Sequence, residues 1–124
     1  MVASQWQVKL VDLGGDEDAF DELTKAERLT AKQIVRIKGQ LKRLALYGPA
    51  LDGDYFDNVA GSKKRLKEFR ITADKVEFRF LYKLRENTFV MLRGYKHKNP
   101  KDVNRHIDTA EARLDEWDQE HGLR

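Results

Sequence analysis

The chain has 124 residues, with 24 lysines and arginines against 21 aspartates and glutamates, and it contains no cysteine. That length predicts one domain, and the missing cysteines exclude disulfides and thiolate metal centres, which suits a reducing cytosol. No run approaches the roughly 20 apolar residues of a membrane span, and the opening "MVASQWQVKL" lacks the basic start and apolar run of a secretion signal, so a cytoplasmic protein without a membrane partner is expected.

The net charge of +3 hides a segregation. Residues 1–31 hold 3 basic and 7 acidic side chains, residues 32–105 hold 19 and 8, and residues 106–124 hold 2 and 6. A basic middle between acidic ends is an electrostatic footprint for a polyanion, provided folding gathers those cations on one surface.

In chain order, "QWQVKLVDL" (5–13) alternates with Trp6, Val8 and Leu10 on one side, which predicts a strand. "GGDED" breaks it, and Asp16 can cap a helix with an acidic first turn, whose apolar edge is Phe20 and Leu23. Capping-box patterns at Thr24–Glu27 and at Thr30–Gln33 leave the break between helices open. Beyond it Ile34, Ile37, Leu41 and Leu44 recur at helical steps until Gly48-Pro49, so 16–47 read as a helical hairpin or one bent helix. Residues 48–63 read as irregular and turn-rich, anchored by Tyr55, Phe56 and Val59.

Three extended segments follow at 65–71, 75–84 and 88–96, and their short turns predict an antiparallel meander. In the middle one Val76, Phe78, Phe80, Tyr82 and Leu84 point one way. Lys75, Glu77, Arg79, Leu81 and Lys83 point the other, which predicts a half-buried strand with a polar, basic second face. Asn99 as N-cap and Pro100 at the first helical position open a last helix. Its stripe is Val103, Ile107, Ala110, Leu114 and Trp117, and the chain beyond Trp117 reads as fraying. The order predicts a small α+β domain.

No glycine-rich phosphate loop, GxSxG elbow, HExxH or paired His/Cys spacing is present, and Asp52 and Asp54 lack a third carboxylate for a metal. What remains is a set of cations on strands. Arg70, Arg79 and Arg93 each fall on a different segment of the meander, Lys63, Lys64, Arg65 and Lys67 precede or begin its first segment, and Lys96, His97 and Lys98 lie where the last one ends beside a helix N-terminus. An arginine fork matches phosphate geometry and stays charged at any useful pH. The competing use is pairing: Arg70 with Glu68 or Glu77, and Arg79 with Glu77. His106 and His121 read as solvated, and Phe78, Phe80 and Tyr82 as core.

"LKEFRI", "VEFRFLY" and "FVMLRGYKHKNPKDVNRHIDTAEARLDEW" resemble, in order and spacing, the RelE/HigB superfamily of type II toxins, in particular its phage-derived HigB-like branch, over about residues 60–117. That branch shows an E-L-R-I strand, an R-x-x-Y strand, a hydrophobic strand running into H-G-F-x-K-K, and a P-x-x-E-I-x-x-A-x-x-R helix. The chain departs from it at Arg93, where histidine is frequent, and at His97, which interrupts the lysine pair. The resemblance implies one small RelE-like α+β domain over 1–124: an antiparallel sheet of about four strands, an N-terminal helical hairpin and a C-terminal helix. It also implies a cofactor-free endoribonuclease that cuts mRNA, in many members on the ribosome, and is silenced by a helix-turn-helix antitoxin. Carried over residue by residue, the catalytic set is Arg70, Arg79, Tyr82, Lys96, His97 and Lys98, with Lys63, Lys64, Arg65, Lys67, Arg93 and Lys101 as RNA-binding cations around it.

The chemistry needs no metal. Arg70 and Arg79 would neutralise the phosphate as charge develops on it, and His97, or Lys96 or Lys98 lowered by its cationic neighbours, would move protons. RNA's own 2′-hydroxyl would attack, leaving a 2′,3′-cyclic phosphate. The alternatives are a non-catalytic RNA- or ribosome-binding module and a phage-type protein that binds a host protein.

Overall fold

The computed structural model describes residues 5–51, 53–97 and 100–122, with the side chains of residues 100 and 101 left aside. The chain begins with β1 (Gln7–Leu10), β2 (Asp12–Gly14) and β3 (Glu17–Asp18), followed by α1 (Ala19–Glu27) and α2 (Ala31–Tyr47). A 3-10 turn (Gly48–Ala50) leads to β4 (Phe56–Asn58), β5 (Lys67–Ala73), β6 (Val76–Arg85), β7 (Thr88–Lys96) and α3 (Pro100–Glu120). Five strands form one sheet in the order β1-β7-β6-β5-β4, and β2 and β3 form a small ribbon.

The small α+β class expected from the sequence is what the structure shows. The meander β5–β6–β7 is antiparallel throughout. Its two edges differ from what the sequence predicts. β1 joins β7 in parallel, and β4 adds an antiparallel edge on β5, inside the stretch read as irregular. The first strand is also shorter than expected, because the chain leaves the sheet after Leu10 to form the β2–β3 ribbon.

Helix starts follow local chemistry. Asp18, rather than Asp16, caps α1, its carboxylate accepting from the N–H groups of Phe20 and Asp21 while Asp21 reaches back to Asp18 N–H. Of the two capping-box patterns, Thr30–Gln33 is the one used. Thr24 lies inside α1, where its hydroxyl donates to Phe20 O at 2.9 Å. α2 ends at Gly48, whose φ of +60° favours glycine. A β-carbon there would also overlap the Trp6 ring. The proposed Asn99 cap lies outside the described residues. α3 runs to Glu120, one turn past the expected fraying point.

Both faces of the sheet are covered. Ile37, Leu41 and Leu44 of α2, with Phe20 and Leu23 of α1, pack on Phe69, Ile71, Phe78, Phe80, Tyr82, Phe89 and Met91. Ile107, Ala110 and Leu114 of α3 pack on Leu66, Leu81, Val90, Leu92 and Tyr95. Each fully buried Leu, Ile or Phe contributes roughly 1.5–3 kcal/mol. On the polar second face expected for β6 only Leu81 joins the core, while Glu77, Arg79 and Lys83 are partly buried. A bulge between Leu81 and Tyr82 puts both Leu92 and Arg93 of β7 on the α3 face. Among the described residues no helix is long and apolar enough to cross a membrane.

Candidate nucleic-acid interface

Arg70, Arg79 and Tyr95 stand in a row on β5, β6 and β7, because the register pairs Arg70 with Arg79 and Arg79 with Tyr95. Cross-strand partners share a face, here the α3 face. The structure thus brings Arg70 and Arg79 together, but it brings carboxylates with them. Arg79 Nη1 donates to Glu68 at 2.8 Å, and its Nε and Nη2 both meet Glu77 at 2.7 Å. The Glu77 pairing follows from spacing, since residues two apart on a strand share a face.

Arg70 takes neither partner expected for it. Its Nη2 holds Asp57 at 2.9 Å and reaches Asp54 at 3.7 Å, because β4 lies on its other side. Its buried Nε has no partner among the described residues.

This row continues into a web under α3. Tyr95 Oη donates to the buried Glu68 at 3.2 Å, and burial, then the Glu68 charge and hydrogen bond, push its phenol up to about 12. His106 stacks on Tyr95 with ring centroids 4.5 Å apart and accepts from Arg93 Nε at 3.0 Å. It is therefore half-buried rather than solvated. Burial, then the charges of Arg93 and Arg105, lower its affinity for a proton. Arg93 and Arg113 converge on Glu22 of α1 at 2.9 and 2.6 Å. Burial would raise that carboxyl, but the Arg113 and Arg93 hydrogen bonds and charges hold it below its ordinary value. The sequence signal for this web was weak: Glu22 and Arg113 are 91 residues apart.

Tyr82 is elsewhere. Three residues along a strand is an odd step, so Arg79 and Tyr82 face opposite sides, about 10 Å apart along β6. Tyr82 pairs with Lys67 across β5 and belongs to the α2-face core. Its burial raises the phenol to about 12, so it stays protonated. Lys96 pairs with Phe78 and falls on the α2 face, while exposed His97 extends the ladder by donating its N–H to Glu77 O at 3.0 Å. Lys98 lies outside the described residues, as does the Lys101 side chain. Lys64 is tied to Asp115 of α3 at 2.6 Å, and Lys63 is exposed.

Where β6 and β7 run past the end of α2, a cavity of about 380 Å³ opens. Phe56, Tyr82 and Phe89 form its floor, with ring centroids 5.5 to 6.5 Å apart. Pro49 and Leu84 add apolar walls, and Arg65, Lys67 and Lys83 supply three cations with no carboxylate in the lining. Arg65 has a φ of +57° and Lys83 Nζ donates to the carbonyls of Lys64 and Arg65 at 2.9 and 3.3 Å, which pins that loop at the rim. Burial, then the charges of Arg85, Arg65 and Lys67, lower the Lys83 ammonium below the ordinary lysine range. In the sequence the lysines expected to carry that lowered affinity are Lys96 and Lys98, and the only signal for Lys83 is its place on the basic face of β6. A neighbouring cavity of about 780 Å³ shares Lys83, but there Lys64 and Arg85 are paired with Asp115 and Asp118.

Fold and site define the class: a small α+β protein with a carboxylate-free cationic recess on an aromatic floor. Residues 18–115 match the family model described as Phage derived protein Gp49-like (DUF891), and the chain belongs to that phage-derived, toxin-like family. No curated protein matches the chain, and no solved structure does.

Proposed function

We propose that this chain is the toxin of a toxin–antitoxin pair and acts as a metal-independent endoribonuclease on mRNA at the ribosome. Membership in a toxin-like family and the likeness of the β5-to-α3 segments to RelE/HigB toxins support the reading. The observation that carries it is the recess of Arg65, Lys67 and Lys83 over Phe56, Tyr82 and Phe89. A splayed base stacks on Phe56, the partly exposed ring of the floor, worth about 1–3 kcal/mol, and the following phosphate meets Arg65 and Lys67.

Lys83 is the base. A neutral amine has two hydrogens, which the Lys64 and Arg65 carbonyls take, and one lone pair, which takes the proton of the RNA 2′-hydroxyl. The 2′-oxygen bonds to phosphorus, the bond from phosphorus to the 5′-oxygen breaks, and the protonated Tyr82 phenol is the donor at hand for that leaving oxygen. The products are a 2′,3′-cyclic phosphate and a 5′-hydroxyl. Arg70 and Arg79, already held by carboxylates, support the sheet rather than the phosphate.

A second reading, RNA binding without cleavage, draws on those same pairings, which remove Arg70 and Arg79 from the chemistry. Incubation of end-labelled mRNA with the protein and EDTA separates the two. Cyclic-phosphate ends that vanish with Lys83→Met support the proposal; a requirement for Mg²⁺, or wild-type cutting by Lys83→Met, overturns it.

A further inference from the structure

A separate surface is unexplained by the recess. α2 contains five cations (Lys32, Arg36, Lys38, Lys42, Arg43) and no aspartate or glutamate over Ala31–Tyr47. Its core stripe is Ile37, Leu41 and Leu44, and on the opposite side Val35 and Leu46 stand 72% and 64% exposed, with Tyr47 at 55%. These are three of the four large apolar side chains that stand exposed among the described residues. Arg36 and Lys42 make no ion pair among the described residues.

Gly39 lies between Val35 and Leu46 on that outward line. Glycine inside a helix costs roughly 1 kcal/mol relative to alanine, and something usually requires it. Here nothing in the chain does: Gly39 has no positive φ, and a β-carbon on it would meet no atom within 4 Å. The notch is useful only to something approaching from outside.

We infer that the outward face of α2 docks an acidic amphipathic helix of a partner protein, with the partner backbone seated over Gly39 between Val35 and Leu46. The line from Val35 to Leu46 covers 12 residues, a rise of about 16 Å at 1.5 Å per residue, which suits about three turns of a helix read as i, i+4, i+7 anchors. Helix axes pack 8–10 Å apart depending on the side chains at the contact, and a glycine there permits the closest approach. Lys42 on the stripe, and Arg36, Lys38 and Arg43 beside it, select glutamates and aspartates near the partner's apolar stripe and steer its approach. A nucleic acid would use the cations but leave Val35 and Leu46 in water and gain nothing from Gly39.

The test uses the whole chain and three fluorescent probes. One is a roughly 20-residue helical peptide with leucines at three- and four-residue steps flanked by glutamates. The second is its composition-matched scramble, and the third is a single-stranded RNA of similar length. The ordered peptide should bind, and the scramble should bind at least about tenfold more weakly. Gly39→Leu and the Val35→Ser/Leu46→Ser double variant should each lose about tenfold, with melting temperatures within a few degrees of wild type because all three positions face water. Failure of the ordered peptide to bind, equal binding of the scramble, or indifference to Gly39→Leu overturns the inference. So does RNA that competes with the peptide and loses affinity with Val35→Ser/Leu46→Ser, which would make this face a nucleic-acid surface. None of these readouts depends on cleavage activity.

Discussion

Two groups of cations sit at different positions along the strands of one sheet and differ in their company. Under α3, Arg70, Arg79 and Arg93 each hold at least one carboxylate within 2.9 Å. Beyond the end of α2, the recess lined by Arg65, Lys67 and Lys83 has no carboxylate in its wall. The first arrangement has spent its charge on the fold, since Glu22 ties α1 to α3 and Glu68 ties β5 to β6. The second keeps three like charges close together, which costs stability at any effective dielectric and is relieved by an anion. A tally of basic residues cannot tell these cases apart; only the positions of the carboxylates can.

Lys83→Met should break the comparison most sharply on the recess side. Loss of a proton-transfer group typically lowers rate by about 10²–10⁴-fold. Lys83→Arg should fall as far, because a guanidinium keeps the charge but cannot act as the base. The pH profile carries a sign. Lys83 is lowered from 10.5 by burial and by Arg85, Arg65 and Lys67, so cleavage should rise with pH and begin to level off below the ordinary lysine range. Removing like charge with Lys67→Gln should move that rise to higher pH. A profile unchanged by Lys67→Gln would take the base role away from Lys83.

Arg79→Ala is the matching test on the carboxylate-paired group. It strands the buried Glu68, which is 5% exposed, and breaking such a pair costs about 3 kcal/mol, or about 10 °C of melting temperature in a chain of this size. Glu68→Gln should recover part of that loss in the double variant. RNA affinity per folded molecule should stay at the wild-type level. Loss of cleavage by a fully folded Arg79→Ala protein would instead restore this row as the reactive site.

The meander and the α3 stripe were legible because each rests on local periodicity, whereas the capping patterns offered Thr24 and Thr30 alike and only the fold selects Thr30. The edges of the sheet were not, because β1 reaches β7 across about 80 residues and β4 is only three residues long. The covering of both sheet faces had a signal that went unused: Phe89, Val90, Met91 and Leu92 run unbroken on β7 and are all buried, as in strands sandwiched between layers. For the site, alternation placed Arg79 beside Glu77 correctly, yet the same alternation already separated Arg79 from Tyr82, three residues on. His106 was unreadable because Tyr95 and Arg93 reach it through the packing of α3 on β7.

A smaller effect marks the carboxylate-paired group by its response to acid. The Glu22 carboxyl is lowered from 4.5 because the Arg113 and Arg93 contacts outweigh burial. A depressed carboxylate stabilises the fold above its unfolded pKa and ceases to do so as pH falls through the folded one. Glu22→Gln should therefore cost about 1.5–3 kcal/mol near neutrality, and the gap from wild type should close as pH drops below 4.5. His106 acts earlier in the same direction. Its folded pKa lies below 6.5, so the unfolded chain takes the proton first and stability declines as pH falls from that value. Thermal melts across this range check both, and a gap for Glu22→Gln that persists in acid would remove the carboxylate from the account.

The finest contrast lies between two neighbours in sequence. Lys64 is bound to Asp115, whose hydrogen bond raises its pKa, whereas Arg65 lines the recess with no carboxylate beside it. On single-stranded RNA each phosphate contact contributes about 0.7 to the slope of log affinity against log salt. Arg65→Ala should flatten the slope by about that much. Lys64→Ala should leave it nearly unchanged, because removing Lys64 also frees a carboxylate at the surface and no counterion held by RNA is lost. Equal changes for the two would mean that the whole 63–67 segment acts as a diffuse positive patch, and the recess would lose its claim to hold one defined phosphate.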